Sequence, residues 1–259
     1  MIRALYSSAT GMVSQQTNLD VISNNLANVN TTGFKKSKIE FQDLIYQTTK
    51  IPGSEVGGGN QIPTGIQIGH GSRVMATSKI FTTGDVSHTG AQLDVAIDGD
   101  GFYEVIQPDG SSAYTRDGAL KLDSTGRLVT SDGLLLQGGV TIPPGTTEIG
   151  IAPTGEVTAR SANGLSTFNL TLVRFANPAG LESVGRNLYK ETPASGPAQQ
   201  GQPGADGFGM LAQNYLEMSN VKVVEEMVNM IVAQRAYEVN SKAVQTADEM
   251  LQISNNLKR

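Results

Sequence analysis

Apolar residues recur at seven-residue intervals at both ends of the chain. Near the start, Leu5, Met12, Leu19 and Leu26 are spaced this way, and Ser8, Gln15, Ile22 and Val29 follow each by three. That spacing predicts a helix over residues 3–29 with a coiled-coil-like seam of mixed quality. Near the end, Val223, Met230, Tyr237, Val244 and Leu251 repeat the pattern, followed at +3 by Glu226, Ala233, Asn240, Ala247 and Ser254, with no Gly or Pro from 221 to 257. At 1.5 Å rise per residue the two helices would run about 40 Å and 55 Å, long for a small globule. The simplest arrangement pairs them side by side as a stalk. Residues 1–45 and 211–259 then form a terminal helical core, and the rest of the chain is an excursion from it.

The second helix carries more apolar surface than one partner covers. Val223, Val224, Met227, Val228, Met230, Ile231 and Val232 spread over roughly 200° of arc, wider than the stripe of about 100° that one packed face requires. Burial inside a single globule is the alternative, but the middle of the chain has no further helices to provide it. Burial between copies of the chain is therefore expected, and Ser7, Ser8, Ala9, Thr10, Gly11, Ala233, Ala236, Ala243 and Ala247 would let helices approach closely. Ordering two helices costs about 1–2 kcal/mol per residue in backbone entropy. A lone pair is thus expected to stay largely unfolded until many copies pack.

Between the helices the texture changes. Residues 46–72 are rich in Gly and Pro towards their middle, including Gly57-Gly58-Gly59, and read as an extended linker or arm. Residues 73–210 read as a β-rich outer domain. Short alternating runs (LDVAID, GFYEVI, AYTR, ALKLD, RLVTS, LLLQG) are punctuated by Pro108-Asp109-Gly110, Arg116-Asp117-Gly118, Ser124-Thr125-Gly126 and Ser131-Asp132-Gly133. Turns at this frequency predict a meander or barrel-like domain. STFNLTLVRFA and RNLYKET follow as further strands, and residues 193–209 form a Gly- and Pro-rich return. The expected class is α+β.

Composition sharpens this picture in a few places. With 259 residues, 38% hydrophobic, no Trp, 5% aromatic and 30 Gly, the chain favours β-structure with tight turns over an all-helical globule. A net charge of −5 gives no general attraction to nucleic acid. Lys35, Lys36 and Lys38 form the one tight basic cluster and read as a solvated face. The absence of cysteine excludes disulfides and thiolate metal sites. The N-terminus has no apolar core of the length a cleavable signal needs, so any export is expected by another route.

Catalytic chemistry finds little footing. His70 and His88 lie among Gly, Ser and Thr and read as exposed loop histidines. No Ser nucleophile stands in a persuasive elbow. The run Asp98-Gly99-Asp100-Gly101 invites a calcium reading, yet EF-hand ligand order cannot be laid over it, and a tight turn entering a strand is the plainer reading. Asp94, Asp98, Asp100 and Glu104 are candidate acids for glycoside chemistry, which requires a defined carboxylate separation. Spacing alone does not supply that separation. No metal, cofactor or catalytic residue is expected.

The stretch SNNLANVNTTGFK interrupts the first helical pattern. Residues 29–33 read as a helix end, because Asn tolerates the left-handed conformation and Gly33 gives a stop. Asn24 and Asn25 lie inside the apolar pattern, and their amides are expected to bond to backbone or to neighbouring subunits. Phe34 is expected to plug an apolar site where the chain turns away.

Asn24-Asn25-Leu26-Ala27-Asn28 followed by Thr31-Thr32-Gly33-Phe34-Lys35 resembles the signature of the bacterial flagellar rod and hook axial protein family. Residues 224–251 (VEEMVNMIVAQRAYEVNSKAVQTADEML) are similar to the C-terminal helix of that family. LDVAIDGDGFYEV, AYTRDGALKLD and GLESVGRNLY extend the resemblance over essentially the whole chain, closest to the distal-rod members. The resemblance implies a structural subunit that leaves the cell through the flagellar type III export apparatus and assembles helically into a hollow, rigid drive shaft of the basal body. It implies as partners identical subunits, proximal rod proteins, the hook, and P-ring and L-ring bushing proteins. It also implies that residues 46–72 pack between subunits. Assembly contacts would come from Leu5, Met12, Leu19, Ile22, Val29, Val223, Met227, Met230, Ile231, Tyr237, Asn240, Val244 and Leu251. A proximal-rod or hook-family subunit is the near alternative, and a cell-wall glycan-binding module the remoter one.

Overall fold

A computed structural model describes residues 2–53, 63–161 and 164–256. Gly57-Gly58-Gly59 and Ala162-Asn163 lie outside the described residues. The chain divides into two compact units, one made of residues 1–26, 37–78 and 223–259, the other of residues 27–36 and 79–222.

The first unit contains both long helices, α1 (Ile2–Ala27, 26 residues) and α2 (Val223–Asn256, 34 residues). Glu225 and Glu226 occupy the first turn of α2, where negative charge offsets the helix dipole. The helices run antiparallel. Gly11 on α1 lies against Asn240 on α2, where an added Cβ would stand 2.8 Å from Nδ2, and Asn25 bonds Glu226 an equal step along each helix in opposite directions. Among the described residues, no helix is long and apolar enough to cross a membrane.

Four strands accompany the helices: β1 (Ser37–Asp43), β2 (Tyr46–Lys50), β3 (Ile66–Gly69) and β4 (Ser72–Lys79). β1 pairs with β4. β2 pairs antiparallel with β3, with Tyr46 opposite Gly69 and Thr48 opposite Gln67. The described ends of the expected linker therefore form a ladder. The β-branched Thr48, Thr49, Ile66 and Ile68 suit it, although both strands stay exposed along almost all their length.

The second unit is β-rich. Its strands are β5 (Val86–His88), β6 (Val95–Asp98), β7 (Tyr103–Ile106), β8 (Ser112–Thr115), β9 (Lys121–Leu122), β10 (Leu128–Val129), β11 (Leu135–Leu136) and β12 (Thr146–Ile151). After these come β13 (Glu156–Ser161), β14 (Gly164–Asn169), β15 (Leu172–Arg174), β16 (Glu182–Gly185), β17 (Leu188–Lys190), β18 (Gln199–Gly201), β19 (Met210–Gln213) and β20 (Tyr215–Glu217). The largest sheet has the order β16-β17-β8-β7-β11-β10-β9, and β12-β13-β14 form a separate meander. β6 pairs with β19, β5 with β20 and β15 with β18.

The barrel-like expectation is corrected: the seven-stranded sheet ends on β16 and β9 and does not close. Hairpins form at the turns ending in Gly110, Gly126 and Gly133, but Arg116-Asp117-Gly118 joins β8 to β9, which do not pair, and β11 doubles back onto β7. β9, β10 and β11 have two residues each, too short to tilt and curl a sheet into a barrel. The interior is mainly aliphatic, with Val95, Ile97, Val105, Val157 and Leu172 fully buried. Phe102, Tyr114, Phe175 and Tyr189 form a second cluster with edge-on ring contacts, Tyr114 and Phe175 at 4.8 Å.

Leu172→Ala removes a side chain with no exposed surface and should lower the stability of this unit by about 2–5 kcal/mol in urea unfolding. Leu165→Ala, at a position 64% exposed, should change it by less than about 0.5 kcal/mol.

Candidate functional site

The corner after α1 is built by residues 28–36. Thr31 closes a turn, its N–H donating to the Asn28 carbonyl at 3.2 Å and its hydroxyl to Asn28 Oδ1 at 3.2 Å. Gly33 then takes φ +67°, and a Cβ there would meet the Arg116 carbonyl carbon and the Asp117 nitrogen at 2.8 Å. Only glycine combines that backbone angle with so close an approach. The Thr32 hydroxyl donates to Asp117 Oδ1 at 2.9 Å, and Asn187 Nδ2 donates to the Thr32 carbonyl at 2.9 Å. Phe34 is buried, with the Lys79 ammonium 5.0 Å from its ring centre.

Lys35 corrects the solvated-face reading, because its side chain has no exposed surface. Its Nζ donates to Glu217 Oε1 at 2.6 Å and to the Thr82 carbonyl at 2.7 Å. Arg116 donates through Nε to Glu217 Oε2 at 2.8 Å, and its other nitrogens reach the carbonyls of Ile97, Gly99 and Gly101. The Gly84 N–H also donates to Glu217 Oε1 at 2.9 Å, and the Gly33 N–H to the Glu217 main-chain carbonyl at 2.8 Å. Burial, reinforced by the nearby Arg116 charge, pushes the Lys35 ammonium down to about 8 against the pull of Glu217. Lys36 is half-buried and Lys38 exposed, so the charge run splits across three environments.

On α1, Asn25 is buried and Asn24 exposed. Asn25 exchanges two 2.9 Å bonds with the backbone of Ser37, accepting at Oδ1 from its N–H and donating from Nδ2 to its carbonyl. Leu26 is half-buried and Ala27 exposed.

The assembly candidates differ in burial. Ile22 is buried, and Leu5, Met12, Leu19, Val29, Met230, Asn240, Val244 and Leu251 are half-buried. Val223, Met227, Ile231 and Tyr237 are exposed, together with Val224 and Val232. The buried side of α2 is made of Glu226, Ala233 and Ala247, the +3 positions of the repeat. Val13 is exposed on α1 and, with Tyr6, Thr10, Leu44 and Val74, lines a groove of about 390 Å³.

Two of the four acids considered for hydrolysis are held by side-chain partners. Asp94 Oδ2 accepts from the Thr89 hydroxyl at 2.6 Å, and Glu104 Oε2 from Gln200 Nε2 at 2.7 Å. In the Asp98–Gly101 turn, carbonyls that would suit a cation face the Arg116 guanidinium instead. His88 belongs to β5 rather than a loop, its ring edge-on to Tyr215 at 5.0 Å. His70 is half-buried between β3 and β4 rather than exposed. Among the described residues, no group of three or more metal-ligating side chains converges.

Sequence reasoning missed Arg116, Glu217 and Asn220. Arg116 was visible only as part of an Arg-Asp-Gly turn. Glu217 and Asn220 stand in a short unpatterned stretch, and their partners are up to 184 residues away.

Three family models match the chain: Flagella basal body rod protein over residues 5–35, Flagellar hook protein FlgE/F/G D1 domain over 96–159, and Flagellar basal body rod FlgEFG protein C-terminal over 212–257. The chain is 50% identical to the flagellar basal-body rod protein FlgG of Borreliella burgdorferi, over 100% of both chains. It is 48% identical to the protein of the same name in Buchnera aphidicola subsp. Schizaphis graminum, over 97% of this chain and 98% of that one. It is 45% identical to that of Bacillus subtilis, over 100% of both.

Glu217→Ala strands two buried cations and should destabilise the β-rich unit by about 3–5 kcal/mol, whereas Lys38→Ala should change it by less than about 0.5 kcal/mol. Thermal and denaturant unfolding check both. Because Lys35 titrates lower when folded, the folded chain holds fewer protons than the unfolded one between pH 8 and 10.5. Stability contributed by this group should therefore rise with pH across that window, and the rise should be smaller in Lys35→Met.

Proposed function

The chain belongs to the flagellar basal-body rod protein FlgG family, and from that membership we infer that it is a structural subunit of the distal rod, polymerising with copies of itself. The observation that carries this reading is the uncovered face of α2. Val224 is 75%, Ile231 57% and Val232 62% exposed, while the opposite side of the same helix is buried. A contiguous apolar face of this kind on a long helix is a packing surface awaiting a partner.

Copies of the chain are the partner that fits. In this reading the helical unit builds the inner tube by coiled-coil-like packing, residues 46–72 lie between neighbouring subunits, and the β-rich unit forms the outer layer. The tube is a hollow, rigid shaft carrying torque from the motor to the hook. The other partners are proximal rod proteins, the hook at the distal end and, in organisms that have them, the P-ring and L-ring. Delivery to the site of assembly is through the flagellar type III export apparatus. The role is mechanical rather than catalytic.

Ile231→Asp/Val232→Asp places two carboxylates in the packing surface, where burying unpaired charge is costly. The concentration needed for polymer growth, measured by sedimentation and electron microscopy, should rise at least about a hundredfold while melting of the β-rich unit stays unchanged. Polymerisation at an unaltered threshold would remove this face from the assembly mechanism.

A further inference from the structure

The chain passes between the two units at four places: 26/27, 36/37, 78/79 and 222/223. Within the β-rich unit, three of the segments leading to those crossings are tied to one another. The Lys36 N–H donates to Asn220 Oδ1 at 2.8 Å, and Asn220 Nδ2 donates to the Ile80 carbonyl at 2.8 Å and to Thr82 Oγ1 at 3.1 Å. The Ile80 N–H closes the loop onto the Lys36 carbonyl at 2.9 Å. Lys36, Ile80 and Asn220 each stand within a few residues of a crossing. Lys35, Thr82, Gly84 and Glu217 form a second layer beside them through the buried ion cluster. The fourth segment, from residue 27, joins at Gly33 through its N–H bond to the Glu217 carbonyl.

We infer that Asn220 is a positioning residue: its amide binds the outgoing and returning chain segments into one joint, so that force carried along the chain through the crossings enters the β-rich unit at a stiff element. The chemistry suits this task. One primary amide both donates and accepts, so it can bridge a main-chain N–H and a main-chain carbonyl from two different segments at once. Hydrophobic contacts at this point would hold the segments together without fixing their register, because they are non-directional. Asn220 is only half-buried, so its removal costs the joint directional bonds and leaves little empty volume. The mechanical consequence rests on the rod reading, whereas the coupling of the segments does not.

The test uses the full chain with Asn220→Ala and, as a second variant, Asn220→Asp, which keeps the acceptor for Lys36 and loses the donor. Amide hydrogen exchange is read at Ile80 and Gly84, whose N–H groups do not bond to Asn220. A joint predicts that exchange at both accelerates on the order of tenfold in both variants, while the β7–β8 hairpin keeps its protection. Acceleration at Lys36 alone, in Asn220→Ala, would reduce Asn220 to a local contact and overturn the inference. In polymers of Asn220→Ala, electron microscopy should show the β-rich units blurred and the helical units unchanged, and β-rich units as sharp as in wild type would equally overturn it. Failure of the wild-type chain to polymerise would count against the rod reading, and the exchange measurement would then decide the joint on its own.

Discussion

A single buried carboxylate organises the β-rich unit. Glu217 lies between Lys35 and Arg116, and none of the three side chains is more than 2% exposed. Buried ion pairs add little net stability, because desolvation offsets their attraction, yet losing one member is costly. Their contribution here is placement. The cluster draws together residues from the corner after α1, the strand end after β8 and the segment before α2, and each remaining polar atom finds a main-chain partner. The close backbone contact at Gly33 and the cation over Phe34 both depend on the chain arriving where Lys35 is held.

The two units solve their burial problems differently. The β-rich unit closes an aliphatic core and an aromatic cluster within one chain. The helical unit does not: Asn25, Ser14, Ala233 and Ala247 are buried, but a row of large apolar side chains on α2 faces solvent. Small residues let α1 and α2 approach, as Gly11 against Asn240 shows, and the bulk is left on the outside. This arrangement suits a subunit whose helices are completed by neighbours and whose β-rich unit is complete before assembly.

Much of this was legible in the sequence. Seven-residue spacing located both helices, with ends misplaced by one or two residues, since Thr31 and Gly33 turn the chain before Val29 can extend α1. Turn signals at Gly110, Gly126 and Gly133 placed the hairpins, because local backbone chemistry decides them. Sheet order was not legible, as it depends on the pairing of β11 with β7 and on strands such as β19 and β20 that are too short to show a period. The burial of Lys35 was invisible for a related reason: its charge is balanced by a residue 182 positions away, and a local run of lysines carries no trace of that partner.

The molecule is divided between a β-rich unit stable in a single chain and helices stabilised by copies. Hydrogen exchange on the wild-type chain, as dilute monomer and again after polymerisation, reads that division directly. The β-rich unit should be protected in both states, and the amides of α1 and α2 should exchange rapidly in the monomer and become protected in the polymer. Full protection of both helices in a chain that remains monomeric would contradict it.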